Sequence, residues 1–212
     1  MEFARRQGLF ITFEGGEGAG KTTLIEAIAR QLTSEGATVL KTREPGGTGL
    51  GEEVRTLLLR HAGPISPYAE MCLFLASRAQ HILEVIGPAL EAGMVVLCDR
   101  FNDSSVAYQG AARGLGMGKV SEICEFISQG LKPNLTLYLD LDPELGLNRA
   151  ARVRKQDRIE AETLMFHKKI REAYIEIHQA DSHRFRLIDA TLPSERVYQE
   201  AMKMILPFTS GG

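Results

Sequence analysis

Apolar residues recur along the chain in five short runs, separated by longer stretches of mixed polarity. The runs are LFITFE (9 to 14), TVLKT (38 to 42), MVVLCD (94 to 99), LTLYLD (135 to 140) and FRLID (185 to 189). Runs of this length predict β-strands. Most of them are almost continuously apolar, which is typical of strands that are buried on both faces.

The segments between these runs are long enough for helices. Helical stretches are predicted at residues 20 to 35, 49 to 61, 67 to 92, 103 to 129, 143 to 180 and 194 to 206, several interrupted by Gly or Pro. Strands that alternate with helices favour a parallel sheet covered on both faces. We therefore expect an α/β fold, with a doubly wound five-stranded parallel sheet flanked by helices. Ligands of such sheets bind beyond the carboxyl ends of the strands.

Composition narrows the class of protein. A chain of 212 residues suits a single domain spanning residues 1–212. The net charge of -2 argues against bulk binding of nucleic acid, and no apolar run is long enough to predict a membrane span. Cys72, Cys98 and Cys124 lack metal-binding spacing and are predicted to be buried thiols. With no apolar signal segment near the N-terminus, we expect a cytoplasmic protein.

The segment GGEGAGKTT directly follows the first strand and opens a helix. It fits the pattern G-x-x-x-x-G-K-[ST], in which backbone N–H groups and a lysine cradle phosphates and a hydroxyl ligates Mg²⁺. A glycine-rich turn with an incidental lysine is the alternative. We predict that ATP binds here, with Thr22 on Mg²⁺. The predicted ATP-binding residues of this loop are Gly15, Gly16, Glu17, Gly18, Ala19, Gly20, Lys21, Thr22 and Thr23.

A P-loop protein also needs a carboxylate at the end of a neighbouring strand to organise the metal. Two strands end in aspartate, at Asp99 and at Asp140. Asp99 is favoured because Arg100 follows it and can reach phosphates at the same edge of the sheet. A turn-capping role is the simpler interpretation of Asp140. The chain contains no N-K-x-D guanine motif, which argues against a signalling GTPase.

Five ordered motifs resemble those of bacterial thymidylate kinases: EGGEGAGKTT, TREPGGTGLGEEVR, FLASRAQH, DRFNDSSVAYQGAARG and DRIE. The resemblance spans nearly the whole chain. It implies a nucleoside monophosphate kinase of the P-loop type with a helical lid, which phosphorylates dTMP to dTDP with ATP and Mg²⁺ as a homodimer.

The acidic residue of the P-loop, Glu17, is unexpected beside phosphates because it would repel them. The resemblance implies that Glu17 points to the acceptor nucleotide and binds its 3'-hydroxyl, for which a carboxylate is a suitable acceptor. The alternative is an exposed acid that gains stability near a helix N-terminus.

Two helical stretches carry candidates for recognition of the base. Phe74 and Arg78 share a helix face, and so do Ser105, Tyr108 and Gln109. Taken alone, Phe74 fits a core position, Arg78 a solvated surface and Ser105 a helix N-cap. The resemblance implies that Phe74 stacks on the pyrimidine, that Arg78 donates to its O4, and that the other three contact the thymine edge and the deoxyribose.

The loop TREPGG follows the second strand. Arg43 and Arg100 are the arginines best placed at strand ends to hold the acceptor phosphate, for which a guanidinium fork is well suited. Pro45 belongs to the same predicted dTMP site. Arg43 can alternatively form a structural ion pair, for example with Glu44.

The basic run RAARVRKQDR corresponds to the lid of the family, predicted at about 146–160. Such a run is ordinarily a solvated helix face. The P-loop has no basic residue before Lys21, so the resemblance implies that the lid supplies the catalytic arginine. Arg152 or Arg154 is predicted to act on the transferring phosphoryl group, and Arg149 to stack on adenine. The predicted catalytic residues are thus Lys21, Asp99, Arg100, Arg152 and Arg154.

Three rival functions remain at this point. A kinase for another monophosphate, such as dUMP or dCMP, differs only at the base-contacting residues. A deoxynucleoside kinase needs a base near the sugar 5'-hydroxyl, for which Asp99 or Glu14 is available. A switch ATPase hydrolyses ATP without an acceptor.

Overall fold

The computed structural model describes residues 8–152 and 157–209. Its sheet has five parallel strands in the order β2-β3-β1-β4-β5. The predicted fold class and all five predicted strands are confirmed. The strands are β1 Leu9–Gly15, β2 Val39–Arg43, β3 Val95–Asp99, β4 Leu135–Asp140 and β5 Phe185–Asp189.

Helices occupy all the predicted helical stretches, but three of those stretches contain more than one helical element. The α-helices are α1 Lys21–Ser34, α2 Gly49–Arg60, α3 Pro67–His81, α4 Gly87–Glu91, α5 Asn102–Ser105, α6 Met117–Ile127, α7 Pro143–Ala151, α8 Leu164–Ala180 and α9 Ser194–Thr209. Segments of π-helix follow α3 and α5, at Ile82–Ile86 and Val106–Ala112. Wider π turns often occur at functional sites, and the second segment carries two predicted site residues.

Both faces of the sheet are buried, as the apolar runs predict. Ile11 and Phe13 of β1 pack in one core with Ile28 of α1, while Phe10 and Val96 belong to a second core on the other face. Successive side chains of a strand point to opposite faces, so a strand between two helical layers is largely apolar on both of its faces.

The register of the strands shows which segments meet at the carboxyl end of the sheet. β1 is the central strand, and its Phe13 pairs with Asp99 of β3 while Gly15 pairs with Leu139 of β4. The P-loop and the end of β3 therefore meet at one edge. Within the described parts of the chain, no helix is long and apolar enough to cross a membrane.

Candidate active site

The P-loop turns sharply between β1 and α1. Gly15, Gly18 and Gly20 have φ values of 147°, 66° and 93°, which L side chains rarely adopt. α1 begins at Lys21, and no side chain among the described residues caps its first N–H groups. Those donors and the positive end of the helix dipole are thus directed into the loop, an arrangement that binds anionic groups.

Lys21 is buried and hydrogen-bonds to its own loop. Its Nζ lies 3.1 Å from the Gly15 carbonyl oxygen and 3.0 Å from that of Gly16. Burial lowers the pKa of Lys21, and the nearby positive charge of Arg100 lowers it further, against the opposing effect of Asp99. A polyanion arriving in the loop would favour the charged form of this amine.

The loop packs against α7 through two glycines in direct backbone contact. A Cβ on Gly18 would lie 2.2 Å from the Gly146 carbonyl oxygen, and one on Gly146 would lie 2.3 Å from the Glu17 carbonyl oxygen. Neither position has room for a side chain. The P-loop is therefore fixed to the helix that leads into the predicted lid.

A cavity of about 530 Å³ opens beside the P-loop. It brings together most of the predicted site residues, from segments far apart in sequence. The predicted residues that line it are Glu17, Gly18, Ala19, Gly20, Lys21, Thr22, Thr23, Arg43, Pro45, Phe74, Arg78, Asp99, Arg100, Ser105, Tyr108, Gln109 and Arg149. Gly15 and Gly16 do not line the cavity, and their carbonyl oxygens accept hydrogen bonds from Lys21.

Arg78 is almost completely buried, with 1% of its surface exposed. Its Nε donates to Glu44 Oε2 at 2.7 Å, its Nη1 to Ser105 Oγ at 3.0 Å and its Nη2 to the Phe101 carbonyl oxygen at 3.0 Å. Glu44 Oε1 in turn lies 3.1 Å from Nδ1 of His81. The guanidinium at the cavity wall is therefore locked in one orientation.

The Glu17 side chain is bound to Arg100. Its Oε1 accepts from Arg100 Nη2 at 2.8 Å and lies 3.5 Å from the Tyr108 hydroxyl. The Arg100 guanidinium also lies over the Tyr108 ring, 5.0 Å from its centroid. This geometry keeps the acidic side chain of the P-loop at the cavity wall next to Tyr108.

Arg43 and Pro45 form the rim of the cavity next to Arg55. Arg43 donates to Glu52 in an ion pair at 2.9 Å, and both side chains are about half exposed. Arg55 Nη1 donates to the Pro45 carbonyl oxygen at 3.0 Å and holds the loop, whose Glu44–Pro45 peptide is cis. Arg55 was not among the predicted site residues, although it is the last residue of the motif TREPGGTGLGEEVR.

The two candidate strand-end aspartates differ in their surroundings. Both oxygens of Asp140 bind Arg171, at 2.7 and 2.8 Å, and Oδ1 also accepts from Tyr138. Asp99 lines the cavity, and its buried Oδ1 has no hydrogen-bond partner among the described residues. Burying a carboxylate oxygen that accepts no hydrogen bond costs free energy, unless a cation or a water molecule binds to it.

The lid is described only in part. Arg149 is exposed at the end of α7 and donates to the Ala190 carbonyl oxygen at 3.3 Å, and the exposed Arg152 follows it. Arg154 lies outside the described residues. Beyond that gap, Asp157, Ile159 and Glu160 line the cavity.

Glu14 is a buried acid on β1 that does not line the cavity. It accepts hydrogen bonds from the Phe101 N–H at 2.9 Å, Ser104 Oγ at 2.5 Å and Tyr174 OH at 2.7 Å. Burial, together with the negative charge of Asp103, raises its pKa to about 7. Its bonds hold the segment after β3 in place, which is a structural role and argues against Glu14 as a catalytic base.

Several carboxylates that hold site residues were missed by the sequence analysis, above all Glu44 and Glu70. Their sequence contexts, a loop and the first turn of a helix, are ordinary places for exposed acids. Only their partners distinguish them, and those partners lie more than 30 residues away.

The fold and the phosphate-binding geometry define a P-loop nucleotide-binding protein. The family profile described as thymidylate kinase matches residues 13–201. Curated thymidylate kinases of Protochlamydia amoebophila and Deinococcus radiodurans are 47% and 50% identical, covering 97% and 92% of this chain and 95% and 94% of their own. The crystal structure of thymidylate kinase from Ehrlichia chaffeensis superposes with a TM-score of 0.77 at 30% identity, covering 93% of this chain and 98% of that one. The chain belongs to the thymidylate kinase family.

Proposed function

We propose that this enzyme phosphorylates dTMP to dTDP at the described cavity, with ATP as the phosphoryl donor. The observation that carries the proposal is the common cavity of the P-loop, Phe74, Arg78 and Gln109. A cradle for a triphosphate and a set of pyrimidine-recognising side chains face one volume, which suits direct transfer between two nucleotides.

On the donor side, Lys21 neutralises charge on the transferring phosphoryl group, while the N–H groups of the loop hold the β-phosphate. Thr22 and Asp99 would hold Mg²⁺, and the unpartnered Asp99 oxygen favours Asp99 over Asp140. When bound, the metal neutralises charge on the phosphate oxygens. Lid residues Arg152 or Arg154 act on the transition state, and Arg149 stacks on adenine.

On the acceptor side, Arg43 and Arg100 hold the phosphate of dTMP in line with the donor. That phosphate is largely dianionic at neutral pH, so its oxygen attacks without a general base. Glu17 accepts a hydrogen bond from the sugar 3'-hydroxyl, beside the ring of Tyr108. Four of the five N–H hydrogens of the Arg78 guanidinium point to Glu44, Ser105, Cys124 and the Phe101 carbonyl oxygen, and Arg78 donates to O4 of the base through the fifth.

The cellular location, the oligomeric state and the domain organisation are proposals as well. We infer a cytoplasmic homodimer consisting of one kinase domain per chain. Cys98 and Cys124 are buried as predicted, whereas Cys72 is exposed, so the prediction of a buried thiol is wrong for Cys72. All three thiols are free, which fits a reducing compartment. Exposed apolar side chains on α3 and α6, Tyr68 and Phe126, are consistent with a covered surface.

A coupled assay of ADP formation with a panel of nucleoside monophosphates tests this function. We expect turnover with dTMP, weaker turnover with dUMP and little with dCMP. ADP release that does not depend on an acceptor would support a switch ATPase, and turnover of thymidine itself would support a deoxynucleoside kinase.

A further inference from the structure

Glu70, in the first turn of α3, is a buried carboxylate with 1% of its surface exposed. Gln109 Nε2 and Arg113 Nε each donate to its Oε1 at 3.0 Å. Arg113 Nη2 and Arg158 Nη2 donate to its Oε2 at 3.0 and 2.6 Å. Burial alone would raise the pKa of Glu70, but the hydrogen bonds from Arg113, Gln109 and Arg158 hold it below its usual value. Glu70 is therefore a fixed negative charge.

Glu70 lies next to residues that are proposed to contact the acceptor base. Glu70, Phe74 and Arg78 are spaced four residues apart on α3, so they lie along one face of the helix. Phe74 and Arg78 line the cavity, as Gln109 does, whereas Glu70 lies behind them. It is placed to act on the base through Gln109 without touching the base.

The chemistry of the two partners decides which way the Gln109 amide faces. A carboxylate only accepts hydrogen bonds, so the amide atom next to Glu70 must be the nitrogen. The amide oxygen of Gln109 is then directed away from Glu70, and none of the described residues donates to it. Gln109 presents an acceptor to the cavity.

We propose that Glu70 is a positioning residue that sets the base preference by holding the Gln109 oxygen towards the acceptor base. The inference rests on the proposed function, in which a pyrimidine lies against Gln109. Thymine and uracil carry a hydrogen on N3 and can donate to that oxygen. Cytosine has an unprotonated N3, which would face the Gln109 oxygen as a second acceptor and be left unpaired.

The variant Glu70→Gln tests the proposal, because an amide can pair with either end of the Gln109 amide. A rotated Gln109 would present its nitrogen to the cavity, disfavouring thymine and favouring cytosine. We expect the ratio of specificity constants for dTMP and dCMP to narrow by roughly 10-fold, the scale of one or two neutral hydrogen bonds.

Arg158→Gln is the matched control, since it removes a partner of Glu70 Oε2 and leaves the bond to Gln109. We expect it to change both specificity constants alike. In a Gln109→Leu background, Glu70→Gln should have no further effect on the ratio, because the group through which it acts is missing.

An unchanged dTMP to dCMP ratio in folded Glu70→Gln protein would overturn the positioning role, even if both rates fell. If circular dichroism shows that Glu70→Gln is unfolded, Glu70→Asp serves instead, since it keeps the charge for the arginines but withdraws from Gln109. The proposal requires that Glu70→Asp also narrows the ratio of the specificity constants for dTMP and dCMP. Failure of the wild type to use dTMP would instead refute the proposed function.

Discussion

The two halves of the cavity are built in different ways. On the donor side, Lys21 binds carbonyl oxygens five and six residues away in its own loop. On the acceptor side, Arg78 is held by Glu44 across 34 residues, and Arg100 by Glu17 across 83. The lysine of the donor half is held by its own loop, whereas the arginines of the acceptor half are held by charged groups that the fold brings together.

This difference predicts different consequences of mutation. Substitution of Lys21 removes a contact to ATP and breaks only hydrogen bonds to carbonyl oxygens of its own loop. A substitution in the acceptor half removes a recognising group and also leaves a buried carboxylate with fewer partners, which destabilises the protein. Activity and stability should therefore change together only on the acceptor side.

The largest expected effect is on the donor side. Lys21→Ala should lower the rate of transfer by about 10²- to 10³-fold or more, because a fixed positive charge on the phosphates is lost. The measurement is the steady-state rate with saturating ATP and dTMP. Lys41→Ala, which breaks only the exposed ion pair with Glu26, is the control and should retain activity. Full activity of Lys21→Ala would refute the P-loop assignment.

The next effect concerns base recognition. Arg78→Met removes the donor to O4 and should reduce the specificity constant for dTMP by roughly 10- to 150-fold, the range for a hydrogen bond to a charged group. The specificity constant for dCMP should hardly change, because cytosine has an amino group and no hydrogen-bond acceptor at position 4. The change should also lower the free energy of unfolding, since Glu44 loses a buried partner.

A matched variant separates these two effects of Arg78→Met. Arg171→Met breaks a bidentate ion pair with Asp140 and lies away from the proposed base site. It should leave the ratio of dTMP to dCMP specificity constants unchanged. If both variants changed the ratio equally, Arg78 would have no special role in reading the base.

The stability of the protein should also depend on pH through Glu14, which holds the segment after β3 that borders the acceptor half. Its folded pKa of about 7 lies above the ordinary value of 4.5 for a glutamate, so the folded state binds the proton more tightly. The associated stability is present at low pH and is lost as pH rises to 7 and beyond. Between pH 5 and pH 8 this loss is on the order of 2 to 3 kcal/mol, and Glu14→Gln should abolish it. Denaturant unfolding of both proteins at the two pH values measures it, and equal pH dependence would contradict it.

The smallest expected effect is at Glu17. Glu17→Gln should weaken the use of dTMP by about 10-fold more than the use of 3'-deoxy-dTMP, because only dTMP has the hydroxyl that Glu17 accepts from. Any loss common to both acceptors reports the weakened bond to Arg100, which is 2.8 Å long in the structure. Specificity constants for the two acceptors provide the comparison. Equal losses would leave Glu17 only its role in holding Arg100.

The contrast between the halves also explains what could be predicted from the sequence. The strands and the P-loop follow from local patterns, namely apolar runs and glycines at fixed spacing. Arg78 shows the limit, because its residue type and helical position suit a solvated surface equally well. Its burial depends on Glu44 and Ser105, whose contacts with it are made only by the folded chain. The resemblance supplied a role for Arg78, but no sequence pattern indicated its carboxylate partner.

Calorimetric titration of dTMP without ATP tests the division of the cavity most directly. Wild type, Lys21→Ala and Arg78→Met are compared under the same conditions. The account predicts that Lys21→Ala binds dTMP within about 3-fold of wild type, while Arg78→Met binds it roughly 10- to 150-fold more weakly. Weak binding by Lys21→Ala together with wild-type affinity in Arg78→Met would contradict the account.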